Sequence, residues 1–322
     1  MQNADAFADE VFDDPERFGT TYAALIVHRG EIVAERYGNE LPHLDGSPGT
    51  PVNADTALLS WSIAKSVTHA AIGLLVADGD LELEAPLRVP EWNEPDDPRR
   101  AITLEDFLTM RDGLDFVEAY VDGVGSNVID MLFGDGQDDV AHYAAQRPLK
   151  HEPGKVYNYS SGTSNIVART LGYYTGDVER FLRERVFEPI GMHSAQPKFD
   201  AAGTFIGSSY VYATARDWIK FAQCYQHDGV VDGKQVLPAG WAEHGTRPRS
   251  IDPDNGRQYG AHWWGFGDDL GTFYASGYAG QRLMVCPPRD VVIARFGQSS
   301  EDQYAALMDW CARVIDASTV RS

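Results

Sequence analysis

Four runs of β-prone residues, two near each end of the chain, constrain what this sequence can fold into more than any other feature. Residues 21–28 (TYAALIVH) and 31–37 (EIVAERY) flank Arg29-Gly30, the spacing of a two-residue hairpin turn. Residues 281–286 (QRLMVC) and 291–297 (VVIARFG) flank Pro287-Pro288-Arg289-Asp290, a second hairpin. Over 301–317, Tyr304, Leu307, Met308, Cys311, Val314 and Ile315 recur at three- and four-residue spacing, which predicts an amphipathic closing helix. The middle of the chain has helical periods instead, over 63–78, 103–111, 136–147, 163–174 and 177–187, joined by Gly, Pro and Asp turns. This order predicts one sheet assembled from the two chain ends, with a mostly helical insertion between them. Gly123 to Asp139 reads as the mobile stretch, a candidate lid.

Composition removes several function classes. The 322 residues are 43% apolar, enough for a large core, and carry a net charge of −21. So acidic a surface repels phosphate backbones and anionic lipid, so neither nucleic acid nor membrane is expected as a partner. Only six of the 27 basic residues are lysines, a balance that also suits a salt-rich medium. Cys224, Cys286 and Cys311 are far apart and odd in number, and read as buried thiols of a reduced interior. The opening MQNADAFADEVFDDPERF has no basic start and no apolar stretch of the signal-peptide kind. No apolar run reaches the ~18–20 residues of a membrane span, so the cytoplasm is the expected location.

Ser62 and Lys65 open the most apolar helical segment, SIAKSVTHAAIGLLVADG, in which Ile63, Val67, Ala70, Ala71, Leu74 and Leu75 form one broad face and Asp78-Gly79 a stop. At i and i+3 the two side chains share a helix face. A lysine becomes a base only where burial or a nearby positive charge disfavours its ammonium, and the apolar helix supplies burial. The hydroxyl at a helix N-terminus also lies near free N–H groups that favour developing negative charge. The competing reading is a capping serine and a solvated first-turn lysine. Other chemistries have no support: there is no Gly-x-Ser-x-Gly elbow, no HExxH or paired Cys/His spacing, no Walker loop and no GxGxxG. His69, on the same helix, reads as a satisfied helix residue rather than a ligand.

Two later segments add groups of matching chemistry. In Pro153-Gly154-Lys155-Val156-Tyr157-Asn158-Tyr159-Ser160-Ser161-Gly162, phenols and hydroxyls crowd a helix entry, where a phenol can pass a proton to a leaving group. In Ala275-Ser276-Gly277-Tyr278-Ala279-Gly280-Gln281, a Gly-rich strand edge can present a backbone N–H to an oxyanion. Core packing and an ordinary hairpin entry are the plain alternatives.

In this order the three segments resemble the serine β-lactamase and penicillin-binding-protein superfamily. SWSIAKS looks like its first motif, PGKVYNYSSGTSN its second and ASGYAGQ its third. SSYVYATARDWIKFAQCYQHDGVVDGKQVLPAGW and YGAHWWG are similar to segments of the esterase and 6-aminohexanoate-dimer (nylon-oligomer) hydrolase branch, and the resemblance spans about residues 20–318. It implies a β-lactamase/transpeptidase-like α/β (α+β) fold, an antiparallel sheet flanked by helices. The sheet domain would comprise 1–80 and 205–322 and the inserted helical domain 81–204. It implies Ser62 as the acylated nucleophile, Lys65 as general base and Tyr159 as proton relay, with Tyr157 the competing phenol. The backbone N–H groups of Ser62 and Tyr278 would form the oxyanion hole, and Ser161, Ser276 and Gly277 would face a small ester or amide substrate. No metal or organic cofactor is implied. Two departures stand out: Ser161 where class C β-lactamases carry Asn, and Ala275 where they carry Lys or His. The second argues against carboxylate-bearing penicillins and towards ester or amide hydrolysis. A β-lactamase or D-Ala-type carboxypeptidase, and a catalytically silent binding member, are the alternatives. Trp263, Trp264, Tyr210 and Tyr212 are candidates to line an acyl pocket.

Overall fold

The computed structural model describes residues 1, 3–43, 47–120 and 125–318. The two ends of the chain meet in one eight-stranded antiparallel sheet. Its strands are β1 (Thr20–His28), β2 (Glu31–Tyr37), β3 (Ser250–Ile251), β4 (Gln258–Tyr259), β5 (Trp264–Gly265), β6 (Phe273–Gly277), β7 (Gln281–Cys286) and β8 (Val291–Gln298). Their order is β2-β1-β8-β7-β6-β5-β4-β3, so the N-terminal hairpin joins the C-terminal strands along β1 and β8, with Leu25 opposite Ala294 and Ile26 opposite Ile293. The first hairpin turns through Arg29 at φ 58° and Gly30 at φ 78°, the left-handed pair that a tight hairpin requires.

Both faces of the central strands are buried, and the period-2 alternation divides them between two layers. Ala23, Leu25 and Val27 face one apolar cluster together with Leu283, Val285, Val292 and Ala294. Ala24 and Ile26 face another with Met284, Cys286 and Ile293, covered by helices α1 (Ala4–Asp13) and α5 (Tyr304–Ala317). The expected closing helix is thus present, and its apolar stripe is what seals that layer. All three cysteines are buried and unpaired.

The first cluster is filled by α2 (Ala64–Asp78), α3 (Ser161–Thr175) and α4 (Ala215–Gln226). The sequence reading gave α2 one apolar face; instead every residue from Ala64 to Leu75 is buried. A helix that passes through the centre of a large core needs no polar face, and its polar side chains must find internal partners. His69 does so, its ring nitrogens lying 2.8 Å from the Tyr225 hydroxyl and 3.0 Å from His244 Nδ1. Gly79 ends the helix at φ 81°, its N–H returning to the Leu75 carbonyl.

The middle of the chain holds the short helices Leu104–Leu108, Asn127–Phe133 and Val140–Ala145 before α3, and a turn-rich helical run after it. Of the proposed lid, Gly123 and Val124 lie outside the described residues. Half of the rest is helix: Ser126 caps Asn127–Phe133 through Ile129, and Val128 and Met131 pack into the core, while Gly134 to Asp139 form the turn that leads to Val140–Ala145. Glycine and aspartate there mark helix ends, which the composition of the segment alone did not distinguish from a loop. Among the described residues, no helix is long and apolar enough to cross a membrane.

Candidate active site

A strained turn delivers Ser62. The chain leaves a short strand at Leu58–Leu59, and Trp61 adopts φ 47°, a left-handed conformation rare outside glycine. A single 3-10 turn, Trp61–Ile63, then feeds α2. The turn is held from outside by aromatic contact: the Trp61 ring meets Tyr278 edge-on at 5.5 Å and Tyr210 at 5.8 Å. The end of β6 passes so near that a Cβ on Gly277 would stand 2.3 Å from the Ser60 carbonyl oxygen, so only glycine fits there.

One helical turn on, Lys65 is 1% exposed. Its Nζ lies 2.9 Å from Ser62 Oγ, 3.0 Å from Ser161 Oγ and 3.0 Å from the Ser208 carbonyl oxygen. Burial brings its pKa down to about 8, against a smaller opposing effect of the Glu118 carboxylate. This is the environment in which a lysine can be a neutral amine near physiological pH. The face of the Tyr159 ring lies 4.8 Å from the ammonium. Burial, helped by Glu118, holds the Tyr159 phenol well above its usual range, and a hydrogen bond with Ser62 works in the opposite direction.

Ser161 opens α3. The preceding Ser160 caps the helix by accepting from the Thr163 N–H at 3.0 Å. The Ser161 N–H, one of the free donors of the first turn, is then taken by Glu118 Oε2 at 2.8 Å, and the Ser161 hydroxyl donates to Glu118 Oε1 at 2.6 Å. Tyr120 donates its hydroxyl to the same oxygen at 2.6 Å. Asn158, between the two tyrosines, donates its side-chain amide to the carbonyls of Leu114 and Phe116 and so fixes the loop that carries Glu118.

Ser62, Tyr159, Ser276, Gly277 and Tyr278 open on one cleft of about 600 Å³, with Lys65 and Ser161 buried behind Ser62. Tyr157 reaches the same cleft, but its hydroxyl is buried and has no partner among the described residues. Asp252, Asp254 and Glu301 put carboxylates on its walls. Of the proposed acyl-pocket aromatics only Trp264 lines the cleft; Trp263 is fully buried in the core, and Tyr210 packs on Trp61. Ala275 is 2% exposed and faces the core. A cation nevertheless comes close to the third motif: Arg282 of β7 donates through Nη1 to Ser276 Oγ at 2.9 Å, and to the Gln281 carbonyl at 2.9 Å.

Four partners of this site escaped the sequence reading: Glu118, Tyr120, Ser208 and Arg282. Glu118 and Tyr120 sit in FVEAY, a stretch with no helical or strand period, where a carboxylate between aromatics is the one available cue. Their role near Lys65 exists only once that loop meets the start of α3. Among the described residues no group of three His, Cys, Asp or Glu side chains is placed to hold a metal.

A helix-flanked antiparallel sheet with a Ser-x-x-Lys turn facing a tyrosine across a cleft is the arrangement of the penicillin-recognising serine proteins. A family model described as Beta-lactamase matches residues 16–314, and the chain belongs to that family. It is 26% identical over 317 residues to the 6-aminohexanoate-dimer hydrolase of Paenarthrobacter ureafaciens, covering 90% of this chain and 76% of that protein. It is 28% identical over 211 residues to Esterase EstB of Burkholderia gladioli, covering 59% of this chain and 52% of that protein. Among solved structures, a candidate 6-aminohexanoate-dimer hydrolase from Bacillus anthracis superposes with a TM-score of 0.81 at 22% identity, over 96% of this chain and 81% of that one, which establishes the shared fold.

Proposed function

We propose that this protein is a serine hydrolase that cleaves an ester or amide bond through an acyl-enzyme on Ser62. The observation that carries the reading is the 2.9 Å contact between Ser62 Oγ and a buried Lys65 whose pKa is brought down to about 8. In its neutral form Lys65 takes the Ser62 proton as Oγ attacks the substrate carbonyl carbon. The backbone N–H groups of Ser62 and Tyr278 stabilise the oxyanion. As the tetrahedral species collapses, a proton returns to the leaving oxygen or nitrogen by way of Lys65 and the Tyr159 phenol. Water then enters, gives up a proton to the same base and releases the acid, restoring Ser62. Tyr159 is assigned the relay rather than Tyr157 because its ring stands against Lys65 and its phenol against Ser62.

The names of the two relatives support amide and ester substrates, and the wall carboxylates Asp252, Asp254 and Glu301 favour neutral or cationic ones over anions, since Lys150 on the same cleft is paired with Asp115 at 2.8 Å. Arg282 does not reverse this preference, since it is 4% exposed and its Nη1 is already engaged by Ser276 and main-chain carbonyls. A fluorophosphonate probe is expected to label the protein and to miss Ser62→Ala; equal labelling of both sinks the proposal. Short-chain nitrophenyl esters and linear amides are expected to turn over faster than a chromogenic cephalosporin, and the reverse order favours the β-lactam alternative.

A further inference from the structure

We propose that Glu118 is a positioning residue that sets the direction of the hydrogen-bond chain Glu118–Ser161–Lys65–Ser62, leaving the Lys65 lone pair aimed at Ser62. The inference rests on the hydrolase reading above and adds to it the group that orients the base. Its basis is a count of protons. A serine hydroxyl has one proton, and a carboxylate can only accept. The 2.6 Å contact from Ser161 Oγ to Glu118 Oε1 therefore commits that proton to Glu118, and Ser161 can only accept from Lys65. The Ser208 carbonyl, 3.0 Å from Nζ, is likewise an acceptor only.

A neutral lysine has two N–H bonds, and these two acceptors take both. The third direction, towards Ser62 Oγ at 2.9 Å, is left to the lone pair. In the ammonium form the third N–H points at Ser62 instead, so all three contacts are satisfied in either state. Without Glu118 the Ser161 proton is free to turn onto the Lys65 lone pair and compete with Ser62 for it. The Glu118 carboxylate is itself held, by the Ser161 N–H at the start of α3 and by the Tyr120 hydroxyl. The other titratable groups around Lys65 do not substitute for it. Tyr159 presents its ring face, burial holding its phenol protonated, and Tyr120 is already bonded to Glu118. His262, brought down to about 3 by burial and by the Lys65 charge, turns Nδ1 to the Lys65 carbonyl at 3.0 Å and Nε2 to Ser164 Oγ at 3.2 Å.

The test is the pH dependence of fluorophosphonate labelling of Ser62, which needs no knowledge of the natural substrate. In the unaltered protein the rate should rise with pH to a plateau, with its midpoint near 8. Glu118→Gln removes a charge that favours the ammonium, so the midpoint should fall by about one unit. The fixed Ser161 N–H claims the single Gln oxygen, which turns the amide nitrogen to the Ser161 hydroxyl and frees its proton, so the plateau should at the same time fall about tenfold. Glu118→Asp keeps the charge and shortens the reach; its plateau should fall while its midpoint stays, and it carries the test should the Gln variant fold poorly. Adding Glu118→Gln to Ser161→Ala should change the plateau less than about twofold, because both act through one hydroxyl. A Gln-variant midpoint that stays or rises, a plateau at the unaltered level, or full additivity with Ser161→Ala overturns the proposal. A labelled native protein with such indifferent variants refutes this inference alone, whereas a native protein that does not label refutes the hydrolase reading and this one with it.

Discussion

Tyr157 and Tyr159 are two residues apart on the same segment, and their surroundings assign them opposite properties. The Tyr157 hydroxyl is buried without a partner among the described residues, while Tyr159 stands against Lys65 and Ser62. Burying an unpaired hydroxyl costs free energy, so Tyr157→Phe should stabilise the protein by about 0.5–1 kcal/mol and leave kcat/KM within about threefold of the native value. Tyr159→Phe removes the proposed proton carrier and should lower kcat about 100-fold at unchanged melting temperature. Urea unfolding and steady-state kinetics on the pair of variants check both statements, and an exchange of their phenotypes would reassign the relay. Lys65 sets a further expectation. Its ammonium is disfavoured by burial, so the active neutral form accumulates as pH rises, and kcat/KM should increase through a midpoint near 8. A profile flat across that range, measured on any turned-over ester, removes Lys65 as the base.

At the level of elements, two glycines show how helix and strand are brought to the site. Gly73 lies within α2, where alanine would improve helix propensity by about 1 kcal/mol. A Cβ there, however, would stand 2.3 Å from the Trp241 indole nitrogen, which donates to the His69 carbonyl at 2.9 Å. Overpacking should win, and Gly73→Ala should destabilise by about 1–3 kcal/mol in chemical denaturation. Gly277 acts on geometry instead. Its Cβ would push the end of β6 off the Ser60 carbonyl, and with it the neighbouring Tyr278 N–H that is proposed as an oxyanion donor. Gly277→Ala should therefore lose about 100-fold in kcat/KM with a much smaller change in stability. A variant that melts early but keeps its specific activity would show that the close approach serves packing alone.

For the whole molecule, the charge balance and the chain path matter most. Acidic residues outnumber Lys and Arg by 48 to 27, so self-repulsion opposes the compact state at low ionic strength. Many surface ion pairs are also screened by salt, but each contributes little, about 0–1 kcal/mol. The melting temperature should accordingly rise by several degrees between about 0.05 M and about 1 M sodium chloride, as the Debye length shrinks. A falling temperature would mean that the pairs outweigh the excess charge. The chain path is where sequence and structure divide. The hairpins, the closing helix and the α2 helix with its Gly79 stop were legible in the sequence, because each is encoded by local alternation, turn chemistry or helical period. The Ser62–Lys65 pair was legible for the same reason, since i and i+3 always share a helix face. Glu118 and Ser208 were not, because they lie 43 and 143 residues from Ser161 and Lys65, and neither were Tyr120 and Arg282, which follow no period that marks them as partners of Glu118 and Ser276. Nor could composition tell that α2 is buried on every side, that Asn127–Phe133 is a helix, or that Ala275 faces the core while Arg282 reaches Ser276 from the next strand. Local pattern thus determined the two hairpins, the closing helix, α2 and the turn that carries the serine. Only the tertiary structure decided what surrounds Lys65, because desolvation and hydrogen-bond direction depend on which distant segments pack against it.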